Sequence, residues 1–78
     1  MKKINLVQMK AKQKGQITEL PEGSVLRRKL MSLGVYPGRE VTKISHIGLR
    51  GPAAIKVGRS VLVLGHGMAS KVIVEIQC

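Results

Sequence analysis

Beyond Glu40, glycines at Gly48, Gly51, Gly58, Gly65 and Gly67 cut the chain into short segments rich in Val and Ile. Such segments suit brief strands joined by tight turns. Candidate strands are Glu40–His46, Ala54–Val57, Ser60–Leu64 and Lys71–Ile76. Ile55 and Val57 alternate, as do Val72, Val74 and Ile76, with Ile73 on the opposite face. Val41 and Ile44 break the alternation, which predicts a bulge or bend in the strand that carries them. The expected fold is mainly β, a small β-barrel whose closure removes exposed sheet edges.

One helix interrupts this pattern. Gly15–Leu20 reads as a first strand, and Pro21-Glu22-Gly23 ends it by turn chemistry. Ser24 is a suitable N-cap for Val25–Leu33, in which Leu26, Leu30 and Leu33 recur at i, i+4 and i+7 and share a face. Gly34 fits the left-handed residue that ends helices, and Pro37 prevents resumption. Tyr36-Pro37-Gly38-Arg39 has the signature of a type II turn. The helix is therefore expected to be inserted after the first strand.

The chain has 78 residues, enough for one domain and one core. Residues 1–78 are read as that single domain, with residues 1–10 a basic N-terminal lead-in from which Ile4, Leu6 and Val7 are expected to dock. Aliphatic residues must fill the core, because Trp and Phe are absent and Tyr36 is the single aromatic. Cys78 is the one cysteine, so no internal disulfide staples the fold. Gln8, Lys10, Lys12 and Lys14 interrupt any leader-like apolar stretch after Met1-Lys2-Lys3, and no segment reaches the roughly 18 apolar residues of a membrane span. These features lead to a cytoplasmic expectation.

Fourteen Lys and Arg against four acidic residues give a net charge of +10. That field attracts polyanions: nucleic acid, anionic lipid or an acidic protein surface. Catalysis finds little support, because Asp is absent and the glutamates at 19, 22, 40 and 75 form no local pair. His46 and His66 lack a ligand cluster at metal-binding spacing and read as solvated loop or strand-end residues. A transient metal site on His46, His66 or Cys78 is the alternative. Gly65-His66-Gly67 lacks the spacing of a phosphate loop and reads as a turn between strands. No cofactor is expected.

Two places suit contact with another molecule. On the helix, Met31 points about 90° or more from the leucine stripe and lies on the same outer side as Arg27 and Arg28. A flexible apolar side chain flanked by arginines suits an adaptable protein contact; the alternative is that Met31 packs beneath a neighbouring strand. In the loop after His46, Ile47, Leu49 and Arg50 sit between glycines. There the apolar pair either caps the open barrel end or forms a surface patch.

The run Val25-Leu26-Arg27-Arg28-Lys29-Leu30-Met31-Ser32-Leu33-Gly34-Val35-Tyr36-Pro37-Gly38 resembles the LRRRLxxLGLxPG segment of the FeoA (ferrous iron transport protein A) family. Glu40-Val41-Thr42, Gly51-Pro52, Ile55-Lys56-Val57-Gly58, Leu62-Val63-Leu64 and Val74-Glu75-Ile76 follow in the family's order, so the resemblance covers about residues 11–77. It implies an SH3-like small barrel and a non-enzymatic role in bacterial ferrous iron uptake beside the GTPase transporter FeoB, with transition-metal binding as a family association. The implied partner is the cytoplasmic part of a FeoB-like transporter, with an anionic membrane surface nearby. The alternative is a basic barrel that binds RNA or DNA, which the near absence of aromatic residues weakens.

Overall fold

Alternation along the strands decides which face of the sheet is inside. Ala53, Ile55 and Val57 are buried while Ala54 and Lys56 point outward. The computed structural model describes residues 1–46 and 51–77, with His46 described by its backbone alone. Its elements are β1 (Lys2–Asn5), β2 (Lys14–Glu19), α1 (Ser24–Ser32), β3 (Glu40–His46), β4 (Ala53–Val57), β5 (Ser60–Leu64), α2 (His66–Ala69) and β6 (Ile73–Ile76). The six strands form one sheet in the order β1-β6-β2-β3-β4-β5, every neighbouring pair antiparallel.

The sheet wraps around a single core. Ile17 of β2, Val41 of β3, Ile55 and Val57 of β4, Leu64 of β5 and Val74 of β6 all belong to it. Burying each such side chain contributes about 1.5–3 kcal/mol, more than an exposed ion pair supplies, so this aliphatic cluster is the main source of stability. The mainly β architecture with one helix agrees with the sequence expectation. Closure by hydrogen bonding does not: among the described residues no backbone bond joins β5 to β1, so the ladder keeps two edges.

The basic lead-in is part of the fold. Lys2–Asn5 pair with Ile73–Ile76 as β1, and Leu6 and Met9 enter the core. The helix therefore follows the second strand in the chain, β2, which is the strand the sequence pattern placed first. A reciprocal pair of bonds closes the turn after β1. The Asn5 amide donates to Gln8 Oε1 at 3.0 Å, and the Gln8 amide donates to Asn5 Oδ1 at 2.9 Å.

Three local expectations need correction. Ser24 does not cap α1: Gly23 holds the N-cap position, and no side chain bonds the first turn. Of the leucine stripe only Leu30 is buried, whereas Leu26 and Leu33 stay partly exposed. Gly65-His66-Gly67 opens a single helical turn, α2, with the Ala69 amide bonding Gly65 O at 2.9 Å. The C-terminal stop of α1 is as expected. Gly34 has φ +95°, and the Val35 amide donates to Leu30 O at 2.9 Å. A Cβ on Gly34 would meet only Val57 Cγ1 at 3.7 Å, an ordinary contact, so Gly34→Ala costs backbone strain alone. The expected loss is about 1–2 kcal/mol; a urea midpoint equal to the parent's would remove this account of the helix end.

The bulge expected in β3 is present, but it sorts the side chains differently from the sequence pattern. Lys43 pairs with Ile55 and Ser45 with Ala54, leaving Ile44 as the extra residue. Val41 and Lys43 therefore point inward together, and Ile44 is exposed.

Candidate protein-contact surfaces

The inward position of Lys43 shapes the whole end of the molecule around it. Its side chain is 1% exposed, and Nζ donates to the carbonyls of Leu6 at 2.5 Å and Met9 at 3.3 Å. Burial lowers its pKa below the ordinary 10.5. The backbone of Lys43 adds two more ties, donating to Gln13 O and accepting from the Lys12 amide. Segment 6–13 is thus pinned to β3, and the lysine is a structural post rather than a surface charge.

On the outside, α1 presents the surface singled out from sequence. Leu30 is the one buried residue of the helix; Arg27, Arg28 and Val25 are exposed, and Met31 is about half exposed. The helix has no acidic residue in its first turn, and Lys29 adds a further cation. Arg27, Arg28 and Met31 are thereby brought together on one surface. Ile47, Leu49 and Arg50 lie outside the described residues, so their grouping with that surface has no structural account.

A second basic feature lies across the sheet. Lys14 pairs with Thr42 and Thr42 with Lys56, which places two lysines on either side of one threonine on the outer face. With Arg39, Glu40 and Gly58 they line an open groove of about 400 Å³. Arg39 Nη1 donates to the Tyr36 hydroxyl at 2.6 Å, and its guanidinium carbon lies 5.3 Å from the ring centroid. That contact occupies the single aromatic of the chain.

Metal ligands are sparse. Among the described residues no three His, Cys, Asp or Glu side chains converge. His66 opens α2 with its Nδ1 buried and unpartnered; the His46 side chain and Cys78 lie outside the described residues. Among the described residues no helix is long and apolar enough to cross a membrane.

Sequence reasoning missed two features, each for a definable reason. Lys43 sits two residues after Val41, the inward period of a strand, but its charge argued against burial. Val61 and Val63 lie in the all-apolar run Val61-Leu62-Val63-Leu64, where alternation cannot say which pair is outside; both are exposed.

The sequence matches the FeoA domain family over residues 4–76. The chain belongs to that family. Solved structures agree with the fold of this FeoA domain. A crystal structure of an iron uptake regulatory protein (FeoA) superimposes with a TM-score of 0.88 at 29% identity, covering 97% of this chain and 100% of that one. A FeoA-like protein from Clostridium acetobutylicum matches with a TM-score of 0.82 at 26% identity, over 100% of this chain and 91% of the other. Stenotrophomonas maltophilia FeoA, an SH3 domain protein complexed with zinc, matches with a TM-score of 0.78 at 20% identity, over 92% and 89%. The barrel is therefore SH3-like. Among curated protein sequences no match is found.

Proposed function

We propose that this FeoA domain is a cytoplasmic, non-enzymatic accessory of bacterial ferrous iron uptake that docks on the cytoplasmic part of a FeoB-type GTPase transporter. Family membership supports the pathway. The observation that carries the docking surface is the exposure on α1 of Met31 together with its i−4 and i−3 neighbours Arg27 and Arg28. Methionine adapts its shape to a partner, and arginine pairs bidentately with carboxylates. A net charge of +10 hastens encounter with an acidic domain beside an anionic inner leaflet, and salt weakens that encounter. Ile47, Leu49 and Arg50 are proposed as further residues of the partner contact.

The test is binding of the purified domain to the transporter's cytoplasmic part, by interferometry at low and moderate salt. The double variant Arg28→Glu, Met31→Asp is expected to lose affinity by about tenfold or more, since two central contacts at 1 kcal/mol or above each suffice. Unchanged affinity would remove α1 as the docking surface.

A second reading, binding to nucleic acid, draws on the lysine row beside Arg39. Stacking is the element it lacks, because Tyr36 is engaged by Arg39. Tight binding of mixed oligonucleotides with a steep dependence of log K on log[salt] would favour it.

A further inference from the structure

The β4–β5 hairpin fixes the direction of every backbone group in β5. Val57 and Ser60 flank the two-residue turn Gly58-Arg59, and Gly58 has φ +60° while Arg59 is outside the positive-φ region, the type II′ pattern. In such a hairpin the flanking pair exchanges hydrogen bonds, and bonded and non-bonded pairs then alternate. Ser60, Leu62 and Leu64 thus bond β4. Val61 and Val63, opposite Lys56 and Ala54, turn their N–H and C=O groups away from it.

Because β5 ends the sheet, those groups face the open edge, and among the described residues no backbone or side-chain group bonds them. The same two residues have side chains 61% and 64% exposed. Edge strands are ordinarily guarded by charges, proline or bulges. The edge strand β1 carries Lys2 and Lys3, whereas Ser60–Leu64 has no charge and no proline and keeps regular register with β4.

We infer that β5 is an acceptor for strand addition, and that its occupant is an extended segment of a partner protein, apolar opposite Val61 and Val63 and acidic at the end beside Arg59. Main-chain bonds to Val61 and Val63 supply affinity, and the two exposed valines select apolar side chains on the outer face. Charge decides against a second copy. Each chain carries +10, and Lys56 lies next to Val61 on the outer face, so self-pairing brings like charges together while an acidic segment is attracted. This surface goes beyond the docking proposed for α1, and its fate is independent of the transporter's identity.

The probe is the peptide acetyl-Glu-Val-Thr-Val-Thr-Val-Glu-amide, titrated into the isotopically labelled domain and followed by amide shifts. Saturable binding is expected, with the largest shifts at Val61 and Val63. Two further peptides carry N-methyl groups on the odd or on the even residues; one should bind like the parent and the other at least tenfold more weakly, because only one set of amides faces β5. Val63→Pro removes an N–H that makes no bond to β4, so the domain keeps its fold while peptide affinity falls at least tenfold. Val63→Lys, which keeps the strand's backbone intact, should also weaken binding. Equal binding by both methylated peptides, or shifts centred on α1, would overturn the inference. So would a domain that is dimeric by sedimentation and becomes monomeric on Val63→Pro, since β5 would then be occupied by a second copy.

Discussion

Leu30→Ala is expected to remove about 3 kcal/mol of stability, a large part of what a domain this small possesses. Leu30 is the one buried residue of α1, with 1% of its surface exposed, while Leu26 and Leu33 are 40% and 41% exposed. Three leucines at helical spacing therefore divide unequally. One fills the core beside Val35, and two lie along its margin. Truncating Leu30 leaves a cavity under the helix that its neighbours fill only in part. Leu26→Ala and Leu33→Ala remove atoms still half in water and should cost about 1 kcal/mol each. Urea unfolding of the three variants checks this, with the midpoint shifted and the slope unchanged. If Leu26→Ala proved as costly as Leu30→Ala, the helix would be held by its whole stripe. The same variant bears on function, because Leu30 is the buried anchor of the helix that presents Arg27, Arg28 and Met31. Its loss should weaken partner binding even under conditions where the sheet remains folded.

How much of this was legible beforehand depends on the type of signal. Turn chemistry held at the end of α1: Gly34 and the Tyr36–Arg39 turn sit as expected, with the Arg39 amide donating to Tyr36 O at 3.1 Å, whereas Gly65-His66-Gly67 opens a helix instead of a plain turn. β3 and β5 have the limits that glycine placement and their Val- and Ile-containing runs suggested. The pattern was weakest where partners are remote in sequence. Lys2–Asn5 shows no alternation, and β1 forms because β6, some seventy residues away, offers it an edge. Ser24 has the chemistry of a cap, but the backbone enters the helix through Gly23 at φ 110°, one residue earlier. The contact surface divides similarly. Helical geometry puts Arg27, Arg28 and Met31 on neighbouring exposed positions of α1, whereas the exposed valines of β5 are visible only once strand order is known.

Lys43 offers the sharpest pH test. An ammonium group held in the core by two carbonyls, Leu6 O and Met9 O, is stabilised by hydrogen bonds but loses its hydration. Burial is the cause of its lowered pKa, so the folded chain releases this proton at lower pH than the unfolded chain does. Between the lowered pKa and the ordinary 10.5, the unfolded state binds more protons and stability rises with pH. Below that window the desolvation cost is fully present, and above it the cost is relieved. The gain is about 1.4 kcal/mol for each pH unit of lowering. Lys43→Met removes this rise and leaves the two carbonyls without a donor, at a net cost of about 2 kcal/mol near neutral pH. The stability difference between parent and variant should therefore widen as pH climbs toward 10.5, because only the parent gains. The remaining charges are common to both proteins and cancel in the comparison. A difference that stays flat across that range would mean the ammonium reaches water in the folded state, and segment 6–13 would then owe its place to Leu6 and Met9 rather than to the charge beneath them.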